Sequence, residues 1–101
     1  MKQGLMKQVL LLAFVLLAPA VFGDEPAVTL DVKDQDVRSI LKSMKEQCGI
    51  KNLLIDKEVA GSGTIYFREV ACATAFRIVF KQFGLAGNVE PNIVTVEPGR
   101  N

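Results

Sequence analysis

The spacing of apolar residues changes once between Val28 and Ile50, from a strand period to a helix period. Val28, Leu30 and Val32 alternate with polar residues, which predicts a half-buried strand. The apolar residues that follow recur at steps of three and four, which places them on one helix face: Val37, Ile40, Leu41, Met44 and Cys48. A strand that runs directly into an amphipathic helix is therefore predicted.

Polar residues and a glycine mark the two ends of this helix. Asp34 or Asp36 can accept hydrogen bonds from the free backbone N–H groups at its amino end. Gly49 can end the helix in a left-handed turn, because glycine has no Cβ to oppose a positive φ.

Two more strands are predicted after this helix. Residues 51–56 form a short apolar run, which predicts the second strand. Residues 64–67 alternate again, so we expect a third strand with Ile65 and Phe67 pointing inward and Tyr66 pointing outward.

A second amphipathic helix is predicted within Ala73–Gly84, with no good capping residue at Ala71 or Cys72. Its broad apolar face consists of Ala75, Phe76, Val79, Phe80 and Phe83. Leu85–Val89 and Ile93–Val96 then predict a hairpin. The order βαββαββ indicates a small α+β domain.

Both predicted helices end in the same pattern, glutamine, one variable residue, glycine and an aliphatic residue. The pattern stands at 47–50 and again at 82–85, and a strand is predicted after each. This repeat fits a chain built from two similar strand–helix–strand halves.

The first 23 residues have the layout of a secretory signal peptide. Lys2 and Lys7 give a positive start, and Val9–Leu17 is almost wholly apolar. This run is shorter than the roughly 20 apolar residues of a membrane-spanning helix. We therefore expect an exported protein with cleavage after Gly23, or as a second choice after Ala20, and a single domain at 24–101.

The charge balance argues against a general nucleic-acid-binding function. Residues 1–23 hold two of the 12 basic residues and none of the 11 acidic ones, so residues 24–101 carry a net charge of −1. A nucleic-acid-binding domain is normally basic, because it must neutralise phosphates. No nucleic-acid partner is therefore expected.

Two cysteines, Cys48 and Cys72, lie in the predicted exported part. In an oxidising compartment an even number of cysteines favours a disulfide. The alternative is that both are small buried apolar side chains. A mature chain of this length has only a modest core, so a covalent link would contribute strongly to its stability.

The residue types that catalysis and metal binding need are scarce. The chain has no histidine, which excludes Ser-His and Cys-His nucleophiles and makes a structural zinc site very unfavourable. Its paired carboxylates, Asp34 with Asp36 and Asp56 with Glu58, stand at predicted turns, where such residues cap helices or face water. We expect no enzymatic activity, no cofactor and no small-molecule substrate.

Basic residues form a stripe on the polar face of the first predicted helix. Arg38, Lys42 and Lys45 follow one another at helical spacing. Such a stripe is either a solvated face or a contact for an acidic segment of a partner protein.

Several motifs in a fixed order resemble the secretin and TonB N-terminus short domain. They are Val-Thr-Leu-Asp-Val-Lys-Asp at 28–34, Glu-Gln-Cys-Gly-Ile at 46–50, Asn-Leu-Leu-Ile-Asp at 52–56, Val-Ala-Gly at 59–61, Thr-Ile-Tyr-Phe at 64–67, and the helix at 75–85. The resemblance covers about residues 28–96. It implies a module located in the periplasm or at the outer membrane, with two helices held between a two-stranded and a three-stranded sheet. It also implies contacts with secretin machinery or with an anti-sigma regulator, and no catalytic residues.

The chain departs from the family pattern at both cysteines and at Gly63. The family usually has a small polar residue in place of Cys48 and an aliphatic residue in place of Cys72, and their joint replacement favours a disulfide. Gly63 stands where a strand residue is usual, so we expect the third strand to begin late. Since the sequence ends at Asn101, we expect a module that acts without ring-forming domains.

Three functional interpretations follow from this resemblance. The first is an accessory protein of a secretin-based secretion, pilus or uptake machine. The second is a soluble regulator that binds an anti-sigma partner, and the third is a small inhibitor or stress protein that shares only the fold. We predict that a partner strand adds to a free edge of the terminal hairpin, at Ile93 and Thr95, with the basic stripe steering an acidic partner.

Overall fold

The computed structural model describes residues 25–99, so the predicted signal peptide at 1–23 lies outside the described residues. Seven elements follow in the order βαββαββ, which confirms the predicted α+β fold: β1 (Ala27–Asp36), α1 (Val37–Gln47), β2 (Asn52–Ile55), β3 (Ser62–Ala71), α2 (Cys72–Gln82), β4 (Leu85–Glu90) and β5 (Ile93–Pro98). Neither of these two helices has the length and apolar character required to cross a membrane.

The five strands form two separate sheets. β1 and β3 pair antiparallel as a two-stranded sheet. The second sheet has the order β2–β5–β4, in which β5 runs parallel to β2 and antiparallel to β4. These are the two-stranded and three-stranded sheets that the resemblance implies.

The terminal hairpin is present, but its last strand has no free edge. Thr95 of β5 lies between Leu54 of β2 and Asn88 of β4, and Ile93 likewise has a partner on each side. The predicted strand addition at Ile93 and Thr95 is therefore wrong, because both sides of a central strand are already paired. The edges of this sheet are β2 and β4.

Both helices and both sheets bury one apolar face in a common core. Helix α1 buries four of its five predicted apolar residues, and α2 buries three of its five. The fully buried side chains include residues from α1, α2, β1 and β5: Phe76, Ile40, Leu41, Met44, Val28, Val37, Val59, Val79 and Val94. Because this core includes residues from all these elements, it fixes the position of α1 relative to the three-stranded sheet.

Strand β3 begins earlier than the sequence predicts. It starts at Ser62, and Gly63 is paired with β1 inside the strand. A Cβ at Gly63 would lie 2.8 Å from Cζ of Phe83, so the missing side chain provides the space that the aromatic ring occupies. The predicted faces are confirmed, since Ile65 and Phe67 are buried and Tyr66 is exposed.

Candidate protein-binding site

Strand β2 leaves one row of backbone hydrogen-bonding groups open. The N–H of Asn52 donates to the carbonyl oxygen of Asn92, in the turn before β5, at 3.1 Å, and the N–H of Asp56 donates to that of Val96 in β5 at 2.9 Å. Successive residues of a strand point their N–H and C=O groups to opposite sides in a parallel pair. Leu53 and Ile55 therefore point theirs away from β5, toward an edge that no other strand of the described residues covers.

Helix α1 lies along this edge and forms a shallow groove with it, which we call the α1–β2 groove. Its lining residues are Arg38, Lys42, Lys45, Lys51, Asn52, Leu53, Leu54 and Ile55. Four of them are cations and none is a carboxylate. The groove thus combines backbone donors and acceptors with a positive wall, in a domain whose net charge is slightly negative.

Arg38 has a structural role as well as a charge. Its Nη2 donates to the carbonyl oxygen of Asp56 at 2.8 Å, and its Nε donates to that of Val59 at 3.2 Å. These bonds hold the loop that follows β2 against the start of α1. Of the predicted stripe, Lys42 and Lys45 are therefore the better candidates for contact with a partner.

Lys51 belongs to the same groove, although the sequence pattern does not predict it there. It lies after Gly49, outside the helix, so helical spacing cannot relate it to the stripe. The left-handed turn at Gly49, where φ is +69°, reverses the chain and brings Lys51 back beside α1. The sequence feature that indicates the position of Lys51 is a glycine turn after the helix, followed by a lysine directly before a strand.

The carboxylate pairs that the sequence singles out are only partly at turns: Asp56 and Glu58 lie in the turn after β2, whereas Asp34 and Asp36 belong to β1, at its bulge and its last residue. Asp36 caps α1 by accepting from the N–H of Arg38 at 3.0 Å, and Asp56 accepts from the N–H of Glu58 at 2.8 Å. Within residues 25–99 no group of three or more histidine, cysteine or acidic side chains is placed to hold a metal ion.

The edges of the two-stranded sheet are less open than that of β2. The side-chain amide of Gln47 accepts from the N–H of Thr29 at 2.8 Å and donates to its carbonyl oxygen at 3.0 Å, which covers β1 at this point. Register shifts show a β-bulge in each strand, where Asp34 and Glu69 have positive φ. Bulges and side-chain cover are features that discourage pairing with another strand.

The predicted disulfide is present between Cys48 and Cys72, with Cα atoms 6.1 Å apart. Cys48 follows the last residue of α1, and Cys72 is the first residue of α2. The bond therefore joins the end of one helix to the start of the other, on the side of α1 where the chain turns toward the groove.

Comparison with known proteins gives matches in sequence and in fold. No protein-family model matches the chain. The chain is 33% identical over 92 residues to the Escherichia coli (strain K12) protein described as DNA utilization protein HofQ, and the match covers 90% of this chain. It covers 22% of the relative, so the chain spans about a fifth of that protein's length.

Two solved structures have the same fold. The N0 domain of the type II secretin from enterotoxigenic Escherichia coli matches with a TM-score of 0.62 and 18% identity, over 76% of this chain and 100% of the solved chain. A dimeric mutant of the N-terminal domain of the secretin XcpQ from Pseudomonas aeruginosa matches with a TM-score of 0.56 and 16% identity, over 70% of this chain and 36% of the solved chain. The described residues therefore have the fold of a secretin N0 domain, and the resemblance to the amino-terminal domain of secretins is confirmed.

Proposed function

We propose that this chain is a non-enzymatic protein-interaction module of a secretin-type assembly in the periplasm. The observation that carries the proposal is the fold match, which extends over the whole of a solved secretin N0 domain. The similarity of 92 residues to a curated relative supports it independently, because that match rests on sequence.

The surface of the domain supports binding of a protein rather than a reaction. The α1–β2 groove offers a strand edge and several cations, which are features of a contact surface. The carboxylate of Asp36 caps helix α1, and that of Asp56 accepts a hydrogen bond in the turn after β2. Acid–base catalysis would require carboxyl groups whose protonation is shifted by burial or by close neighbours.

Two finer aspects of this function follow from the comparisons. The name of the Escherichia coli relative connects that protein with DNA utilization, so we propose an uptake assembly as the first kind of machine to examine. Both solved structures are secretin domains, which favours an accessory or component of such an assembly over a regulator of an anti-sigma partner.

Deletion of the gene and purification of the tagged chain from its native host test the proposal together. We expect the tagged chain to co-purify with a secretin or with an inner-membrane component of its machine. We also expect the deletion to impair secretion, pilus assembly or DNA uptake, and the intact gene supplied in trans to restore it. Failure to recover any such component, with all three processes intact in the deletion strain, contradicts the proposal.

A further inference from the structure

We propose that the α1–β2 groove binds an extended acidic segment of a partner protein, which joins β2 as a fourth strand of the three-stranded sheet. This inference rests on the proposed function and adds the chemistry of the partner and the place where it binds. It also replaces the strand-addition site at Ile93 and Thr95, which the position of β5 excludes.

The geometry of β2 meets the backbone requirement for strand addition. Its outward N–H and C=O groups belong to Leu53 and Ile55, two residues apart, which is the spacing at which a neighbouring strand forms its hydrogen bonds. β1 is partly covered by Gln47, and both β1 and β3 contain bulges. β4 is the other edge of the same sheet, but none of its residues lines the cationic groove.

Charge determines which segment fits this edge. Residues 24–101 carry a net charge of −1, yet this one groove has four cationic lining residues and no carboxylate. An acidic segment gains favourable electrostatic interactions along its whole length there. Opposite charges steer the encounter and fix the register, while backbone hydrogen bonds supply the directional contacts.

The alternation of side chains predicts the sequence pattern of the segment. Leu53 and Ile55 point toward the core and helix α1, whereas Leu54 points to the opposite face and is 57% exposed. A strand added beside β2 has the same two faces. Its acidic residues should stand on the α1 face, near Lys42 and Lys45, and its apolar residues should pack against Leu54 on the other face.

A second copy of this chain does not fit the groove. Pairing one β2 edge with the same edge of another copy would place two sets of cations close together. Like charges brought together across an interface are destabilising. Nucleic acid shares the attraction to cations, but a phosphate backbone does not provide the alternating donors and acceptors that an open strand edge pairs with.

Nuclear magnetic resonance with the protein purified from the periplasm tests the inference directly. The probe is a short peptide of alternating valine and glutamate, and its control is the matching peptide of alternating valine and lysine. We expect the acidic peptide to slow hydrogen exchange at the amides of Leu53 and Ile55. The basic peptide should bind at least roughly tenfold more weakly, because it meets like charges in the groove.

Matched variants separate the backbone contact from the charge contact. Leu53→Pro removes one outward N–H, and Leu53→Ala truncates the same side chain while keeping that group. We expect the proline variant to bind the acidic peptide about tenfold more weakly than the alanine variant, since it loses a hydrogen bond and the fit of the strand. Circular dichroism verifies that both variants remain folded. If the proline variant unfolds, the charge variant Lys42→Glu with Lys51→Glu is measured in place of this pair.

The charge variants have their own control on the other helix. Lys42→Glu with Lys51→Glu should weaken the acidic peptide roughly tenfold, whereas Arg77→Glu with Lys81→Glu, on the exposed face of α2, should change it little. Binding that is equal for both peptides, or that protects amides of β1, β3 or β4 instead, overturns the inference. Preferential binding of a short oligonucleotide at the groove also overturns it. If the chain still co-purifies with a secretin assembly in these cases, the proposed function stands and only this site is wrong.

Discussion

The two helices of this domain have the same length and similar carboxyl-terminal sequences, but they are held in different ways. Each has 11 residues and is followed by a glycine with positive φ, Gly49 after α1 and Gly84 after α2. The repeated sequence pattern at 47–50 and 82–85 therefore corresponds to a repeated helix end in the structure. The difference lies in the local caps at the helix ends, which are more complete for α1 than for α2, although the N–H of Val37 at the start of α1 also donates to the distant carbonyl oxygen of Gly61 at 2.9 Å.

The amino ends show this contrast most clearly. Asp36 caps α1 with its own carboxylate, whereas Ala71 offers α2 no side-chain hydrogen bond. The first residue of α2 is instead Cys72, which the disulfide fixes to Cys48. A covalent bond to a distant residue thus stands where a capping side chain is missing, and the two are alternative means of holding a helix start in place.

The carboxyl ends show the same contrast. After α1, the N–H of Ile50 donates to the carbonyl oxygen of Lys45 at 3.0 Å, and the N–H of Gly49 donates to that of Glu46 at 3.3 Å. This pair of bonds is the Schellman motif, which satisfies the last carbonyls of a helix locally. The end of α2 has one of these two bonds, from the N–H of Gly84 to the carbonyl oxygen of Lys81 at 3.4 Å, and the ring of Phe83 beside it occupies the space above Gly63 of β3.

Removal of the disulfide should cause the largest loss in the free energy of unfolding. Cys48→Ser with Cys72→Ser opens a loop with a sequence separation of 24, and the chain-entropy estimate for such a loop is about 3.5 kcal/mol. Urea unfolding at neutral pH should show a loss of this size in the free energy of unfolding. Wild-type protein kept reduced is the matched control and should lose a similar amount. A loss below about 1 kcal/mol in both would show that α2 does not depend on the covalent bond.

Filling the space at Gly63 should have the next largest effect. Gly63→Ala places a methyl group 2.8 Å from Cζ of Phe83, closer than van der Waals contact allows. Such overpacking costs about 1–3 kcal/mol. The smaller side chain of Phe83→Leu should relieve part of that cost in the double variant. A double-mutant cycle measured by urea unfolding gives this coupling. Strictly additive effects would mean that the ring and the glycine do not depend on each other.

Loss of the local cap on α1 should cost less than either change. Asp36→Ala removes the acceptor for the N–H of Arg38 and should lower the free energy of unfolding by about 1 kcal/mol. Asp36→Asn is the control, because it keeps an acceptor and removes only the charge. If the asparagine variant is as destabilised as the alanine variant, the charge at the helix start matters more than the hydrogen bond.

The sequence predicts the local elements and the disulfide, but not the order in which the strands of the larger sheet pair. Alternation, helix periodicity and Gly49 each act over a few residues, so they identified the strands, both helices and the end of α1. The parallel pairing of β2 with β5 joins Asn52 to Ile93, and no short-range pattern encodes it. This is why the sequence predicts the open edge at β5, whereas the structure has it at β2. Lys51 was missed for the same reason, since its position beside α1 depends on how the chain turns back.

A local cap added to α2 should give the smallest effect and test whether the two means of holding a helix are independent. Ala71 is exposed and has φ −54° and ψ 141°, an extended conformation that suits a capping residue. Ala71→Ser should therefore raise the free energy of unfolding by about 0.5–1 kcal/mol. Ala73→Ser, inside the first turn of α2, is the control for the change in residue type and should not stabilise the protein. The same gain with and without the disulfide means that cap and cross-link act separately. A gain confined to the protein that lacks the disulfide means that the covalent bond already fixes the start of α2.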